Sequence, residues 1–196
     1  YWGEEPHYDR IVVRNVANNA QQMNIGRGVS QLAIDLRPDQ VGMLGDGVNV
    51  ISQPGSDIGF LYLNQNPEVS EVTSNPDFIE AVRYAVDFEA ILDFVGDGAG
   101  RPGGIVPSIL LGTLEGDKAP VRDLDRASAA LERSGLEDPV VELSYAGDIA
   151  KHGISFGDIG AQVQAQLAEI GITLNLNPLP SSVSLDNYRA GTNEMG

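Results

Sequence analysis

Cysteine is absent from this 196-residue sequence, which excludes disulfides, thiolate metal sites and a cysteine nucleophile and leaves the compartment open. Basic residues are scarce: twelve Lys and Arg stand against twenty-eight Asp and Glu, for a formal charge of -16. Such a chain repels nucleic-acid phosphate and anionic lipid, so neither is expected as a partner. The acidity reads as a solvated, solubilising surface, and adaptation to high salt also fits it. No apolar run is long enough to span a bilayer, and the chain does not open on a signal peptide with a basic start and an apolar middle. Histidine is limited to His7 and His152. They stand far apart, and neither belongs to an HExxH or Ser/His/Asp spacing, so the evidence for an enzyme is thin. Aromatic residues make up 6% of the chain. Phe60, Tyr62 and Phe78 fall on apolar segments, where a core role is the default, and Phe60 is the one set apart as a candidate for a site.

What is present is a 42% hydrophobic content, enough for one good core or two small ones. Asp9 to Val16 is β-branched and apolar, a predicted strand, followed by a short helix from Asn18 closed by glycine at Gly28. Gln31 to Leu36 reads as a second strand, and Pro38 starts a helix that stops at Gly45. Val48 to Ser52 and Ile58 to Asn64 are two more predicted strands. The Gln53-Pro54-Gly55-Ser56 break between them is the expected lobe boundary. Asn75 with Pro76 opens a helix whose Phe78, Val82 and Ala85 share one face, and its continuation through Ile91, Leu92 and Val95 ends in Gly96-Asp97-Gly98. Arg101 to Pro107 is irregular, because Pro and Gly forbid regular hydrogen bonding. Asp123 caps a further helix stopped by Gly135. Val140 to Tyr145 alternates as a strand, Asp158 to Ile170 has helical spacing, Ile172 to Leu176 alternates again, and Ser182 to Ala190 forms a last helix. Strands alternating with helices imply α/β layers with partly parallel sheets.

Chemical signals are weak when taken one at a time. The glycines of Gly96 to Gly104 would cradle an anion through backbone N–H groups, but the segment follows a helix and lacks a Gly-Lys-Ser/Thr ending, so a structural turn is favoured. Asp46-Gly47 and Asp97-Gly98 lack the alternating ligands and closing Glu of a calcium loop and read as turns. Carboxylate pairs such as Glu132 with Glu137 and Asp123 with Asp125 sit at helix ends, where capping accounts for them.

Taken together, the YWG turn, SQLAIDLRPDQV, GSDIGFLYLN, NPDFIEAVRYAVDFEAI, RPGGIVPS, DLDRASAALERSGL and AQVQAQLAEIGITLNL, in that order and spacing, resemble the family 5 extracellular solute-binding proteins. These are the dipeptide/oligopeptide/nickel-binding components of bacterial ABC importers. The resemblance implies a type II periplasmic-binding-protein-like α/β fold, with two lobes joined by crossing strands around a ligand cleft. It further implies an internal fragment, with residues 1–54 as part of the first lobe and 55–196 as a second lobe truncated at its C-terminal end. Binding without catalysis, no cofactor and no metal follow from it. The implied partners are a small solute, peptide foremost, and the ABC permease subunits, at a periplasmic or cell-surface location outside the cytoplasmic membrane.

The resemblance also nominates site residues. Ser56 and Asp57 at the turn, with Phe60 pointing inward, occupy positions that contact ligand in the family, and Ile58 to Asn64 is a candidate edge for a peptide backbone. Leu36 and Arg37 fall on the first-lobe rim, although Arg37 reads equally as an exposed residue at a helix start. In dipeptide-binding members an arginine in the loop after the VVELSY strand pairs with the peptide carboxylate. Here Ala150 takes that position, and the adjacent Lys151 and His152 offer a point charge or a donor without guanidinium geometry. That departure puts a strict dipeptide ligand in doubt, and an ordinary exposed loop is the competing reading of both residues. Two other functions stay open: a non-transport peptide sensor or chaperone on the same fold, and an α/β hydrolase with Asp57 and His152 brought together as acid and base.

Overall fold

The computed structural model describes every residue except Tyr1, Glu4, Pro6 and Asp97. The YWG and Asp97-Gly98 turns expected from the sequence therefore fall partly outside the described residues. The chain forms two compact units, Tyr1–Asn49 and Val50–Gly196.

The first unit has two helices, α1 (Asn18–Gly26) and α2 (Pro38–Val41). Side-chain amides hold it together. The Asn18 amide donates to the Asp35 carbonyl at 2.9 Å, Gln21 bonds Val16 and Ile34, and Gln22 reaches the Gln40 carbonyl. None of its described residues is buried. The strands expected at 9–16 and 31–36 do not form there, nor do those expected at 48–52 and 58–64 beyond a single bridge at Leu63. The reason is physical: a strand without a neighbour leaves its N–H and C=O groups unpaired, and two or more paired strands over an apolar layer are needed to fix it. Ile11, Val12, Val13, Leu32, Ile34 and Ile51 accordingly remain exposed.

The second unit starts from α3 (Pro76–Ala85), where Asn75 accepts hydrogen bonds from the Asp77 and Phe78 amides and Pro76 presets the first turn. The helix breaks at Val86, and Asp87 caps α4 (Phe88–Val95) by accepting from the Ala90 amide at 3.0 Å. Buried Gln166 supplies an acceptor for the Asp87 amide at 2.8 Å, so the break leaves no orphan donor. A Gly/Pro loop follows, pinned by Arg101, whose guanidinium lies 4.3 Å over the Phe88 ring and donates to the Pro120 carbonyl. Asp123 then caps α5 (Leu124–Ser134), which ends on Gly135 in the left-handed conformation at φ 69°.

Small residues let α3 and α5 pack closely: Ala81, Ala85, Ala127 and Ala130 are all fully buried. Ion pairs lie over that contact. Arg126 donates to Glu80 at 2.6 Å and sits 3.8 Å over the Tyr84 ring, and Arg133 bridges Asp77 and Glu80. The Arg126 hydrogen bond, reinforced by the fields of Arg126, Arg133 and Arg83, holds the Glu80 carboxyl below its ordinary value, against an opposing effect of desolvation.

Strand β1 (Val140–Ala146) leads through a hairpin, β2 (Ala150–Lys151) and β3 (Ile154–Ser155), into α6 (Phe156–Ala168) and then β4 (Thr173–Leu179). β1 and β4 pair in parallel from Val140↔Thr173 to Ala146↔Leu179, the crossover unit that a parallel pair requires. Glu194–Gly196 extends the sheet on the other side of β1: Met195 bridges Leu143 in parallel and Leu63 antiparallel. Phe78, Val82, Val141, Leu143, Val163, Leu167, Ile172, Leu174 and Met195 form the core beneath it. Helix α7 (Ser181–Ala190) packs against β1. Mixed α/β architecture with a parallel pair is thus realised in the second unit.

Candidate functional site

The hairpin after β1 is the first element of the site. His152 and Gly153 at its tip have φ of 50° and 75°, the two positive values of a two-residue type I′ turn, and His is among the non-glycine residues that tolerate this region. Ile154 is buried and Ser155 caps α6 by accepting from the Asp158 amide at 3.1 Å, so the hairpin's far arm is anchored in the core. Its near arm presents Lys151 and His152 outward.

Asp57 meets that arm. Its Oδ2 lies 3.5 Å from Lys151 Nζ and 3.9 Å from His152 Nε2, and the three side chains are 64%, 59% and 62% exposed. Water screens charges at such exposure, so the pair contributes little to stability, about 1 kcal/mol at most. A carboxylate and two nitrogen groups held together on an accessible surface remain free to exchange partners with a charged solute. Ser56 stands exposed beside Asp57.

Phe60 is half exposed, at 50%. Its ring is tilted against Tyr62 at 6.5 Å between centroids, and Tyr62 meets Tyr188 of α7 edge-on at 5.3 Å. The Tyr62 hydroxyl accepts from Asn193 Nδ2 at 3.0 Å, and Asn64 Nδ2 donates to the Gly191 and Asn193 carbonyls, which ties the middle ring of the row to the segment after α7. Phe78, by contrast, is core, at 1% exposure. The peptide edge expected along 58–64 is already engaged in part: Tyr62 exchanges hydrogen bonds with Gly196, and the Asn64 amide donates to the Glu194 carbonyl.

Arg37 belongs to the first unit, at the start of α2, where its Nε pairs with Asp39 at 3.0 Å. Of the residues singled out from sequence, the structure therefore brings Asp57, Lys151 and His152 together, with Ser56 and Phe60 close by in sequence. Tyr62 was expected in a core role, and Tyr188 and Asn193 were not singled out. Their signal is weak in sequence, because what joins them is a contact between segments at opposite ends of the unit.

A concavity of about 300 Å³, lined by Gly147, Asp148, Pro178, Leu179 and Pro180, opens beside the hairpin, and a second of about 220 Å³ lies away from it between α6 and β4. Across the sheet, Glu142 Oε1 accepts from Ser144 Oγ at 3.1 Å and from Asn177 Nδ2 at 2.8 Å, and Glu194 Oε2 accepts from the Glu142 amide. This satisfied network explains why polar side chains alternate with Val141 and Leu143 along β1. Among the described residues, no helix is long and apolar enough to cross a membrane.

Comparison with known proteins places these features in context. The family model described as bacterial extracellular solute-binding proteins, family 5 Middle, matches residues 1–195. The periplasmic binding protein DppA of Helicobacter pylori, solved with the peptide STSA, superposes with a TM-score of 0.81 at 20% identity, over all of this chain and 37% of its own. NikA of Brucella suis, solved with Fe(III)-EDTA, gives 0.79 at 21% identity, over all of this chain and 42% of its own. A dipeptide-binding protein of Pseudoalteromonas, solved with Met-Leu, gives 0.72 at 18% identity, over 91% of this chain and 36% of its own. At these identities the likeness is one of fold, and the chain spans about two fifths of the length of those proteins. No curated protein sequence matches the chain.

Proposed function

The chain belongs to the bacterial extracellular solute-binding proteins of family 5, and we propose that it is the ligand-catching part of an ABC-type importer subunit, taking a peptide or similar small solute and delivering it to a membrane permease. Residues 1–54 are then part of one lobe and 55–196 most of the other, outside the cytoplasmic membrane in the periplasm or at the cell surface. The supporting observation is the exposed meeting of Asp57 with Lys151 and His152 at 3.5 and 3.9 Å. A solute with an ammonium and a carboxylate exchanges partners with it: the ammonium turns to Asp57, the carboxylate to Lys151 and His152. Phe60 supplies an apolar ring face three residues from Asp57. Ser56 belongs to the same contact set on this reading, and Arg37, in the first unit, is a further ligand-facing residue.

The mechanism is closure by differential affinity. A solute touching both lobes binds the closed state more tightly than the open one and shifts the population toward it, and the permease reads the closed state. Nothing in this scheme breaks a covalent bond, so no cofactor or metal is needed.

Calorimetric titration of the intact protein with tri- and tetrapeptides, set beside sugars and metal chelates, tests the reading. Peptide heats that weaken about tenfold or more on Asp57→Ala support it, as expected for loss of one charge-assisted hydrogen bond. Silence with every peptide, and heat with a sugar or chelate instead, rejects the peptide. One observation favours a second reading: Asp57 and His152 stand 3.9 Å apart, so that a small approach would bring them into the hydrogen-bond contact an acid/base pair of a hydrolase needs. Hydrolysis of a peptide or ester that disappears on His152→Ala would establish it, whereas ligand binding without turnover excludes it.

A further inference from the structure

Helix α7 begins on Pro180, which has no side-chain group with which to cap it. The first amide of α7 is met instead from outside the helix: Asp148 Oδ1 accepts from the Ser181 amide at 2.8 Å, and Asp148 Oδ2 accepts from Ser181 Oγ at 3.2 Å. Asp148 lies between the end of β1 and the start of β2, so the carboxylate that caps α7 sits at the root of the hairpin bearing Lys151 and His152. The same root is drawn against β4. The Gly147 amide donates to the Leu179 carbonyl at 2.8 Å, and a Cβ on Gly147 would stand 2.8 Å from Pro178 Cβ, an approach only glycine allows. At its other end α7 presents Tyr188 to Tyr62, two residues beyond Phe60. The helix therefore spans from the root of the cationic arm to the ring row.

We propose that Asp148 is a positioning residue: by capping α7 from the hairpin root it holds Lys151 and His152 in reach of Asp57. The far arm of the hairpin is fixed by buried Ile154 and the Ser155 cap, and the near arm, with exposed Ala150 and Lys151, is held by its pairing with that arm on one side and, at its root, by the Gly147 and Asp148 contacts on the other. The carboxylate already meets both Ser181 donors, so its part in the site is indirect, through the placement of its neighbours.

The inference rests on the reading of Asp57, Lys151 and His152 as ligand-facing, but its test needs no ligand, so the two fail separately. The readout is the ring resonances of His152 by NMR, with His7 as the internal reference, in a cycle with Asp57→Asn. In the wild-type background Asp57→Asn moves the His152 signals, because the carboxylate faces the ring. In Asp148→Ala that displacement is lost, and in Asp148→Asn, which keeps a carbonyl oxygen for the Ser181 amide, it is largely retained. Ser181→Pro is a second route if Asp148→Ala does not fold. Proline is favoured at a first helical position and Pro180 is already extended at ψ 141°, so α7 persists while both donors to Asp148 disappear, and the displacement is again lost. Resonances of β1 and α6 that stay in place show that the core is intact. A displacement of undiminished size in Asp148→Ala or Ser181→Pro overturns the proposal, as does a wild-type His152 signal that ignores Asp57→Asn. Lost coupling in a protein that binds no solute leaves the positioning role standing and removes only the ligand reading.

Discussion

Met195→Ala is the perturbation whose cost the fold dictates most sharply. Met195 is fully buried and flanked on both sides, by Leu143 of β1 and by Leu63, to which its backbone is bridged. Met→Ala in a core costs about 2–5 kcal/mol, and the figure rises when the site cannot collapse around the missing atoms. Here collapse is resisted, because hydrogen bonds from the Tyr62, Asn64 and Ser144 amides to the 194–196 carbonyls fix the spacing of the segments. We therefore expect about 3–4 kcal/mol, a large share of the roughly 5–15 kcal/mol that holds a domain together. Urea denaturation followed by far-UV circular dichroism measures it. The transition reports the second unit, since none of the described residues of the first is buried. Hydrogen exchange at the Tyr62 and Asn64 amides should accelerate in parallel, because the strand that accepts from them is less firmly anchored and opens more often. A cost below about 1 kcal/mol with unchanged exchange at Tyr62 would refute the account of 194–196 as an inner strand of the sheet.

Three further outcomes follow from local geometry. Glu80, held below its ordinary value of 4.5 by Arg126, contributes stability present above that value and lost as pH falls through its folded one; the margin of wild type over Glu80→Gln in thermal melts should therefore shrink between about pH 6 and pH 3, and a pH-independent margin would contradict the ion pair. Gly160→Ala should be neutral or stabilising by up to about 1 kcal/mol, because its Cβ meets the ends of Leu143 and Leu176 at 3.4 Å and the Tyr145 ring at 3.8 Å, ordinary contacts, in a helix that disfavours glycine; Gly147→Ala should cost about 1–3 kcal/mol because it meets Pro178, and the reverse order in urea denaturation would refute both assignments. Lys151→Ala should change stability by less than about 1 kcal/mol while weakening solute binding, and a large loss in the same denaturation assay would make Lys151 a structural residue instead.

Helices with local start and stop signals were legible in the residues: Asn75-Pro76, Asp123 and Gly135 act within one turn of where they stand. The strands expected at 140–145 and 172–176 were legible for a related reason, since each alternates over a face that α6 covers, although the second runs on to Leu179. Asp9 to Val16 and Gln31 to Leu36 have strand composition but no neighbour to pair with, and composition cannot supply one. Site residues divide the same way. The resemblance nominated Asp57, Lys151 and His152, but their meeting depends on a contact between distant segments. Tyr188, a lone aromatic on a polar helix, and Asp148, an acidic loop residue, owe their places to partners that no local pattern names. The Gln166 amide that satisfies the α3–α4 break was hidden for the same reason.

Mapping a solute onto the surface tests the central claim most directly. With the isotopically labelled protein titrated with a tripeptide, the account predicts that backbone resonances of Ser56 to Phe60 and of Gly147 to Gly153 shift together and saturate, and that Asp57→Ala suppresses both sets. Shifts confined to the concavity at Gln164 to Leu174, or a tripeptide cleaved instead of held, would contradict it.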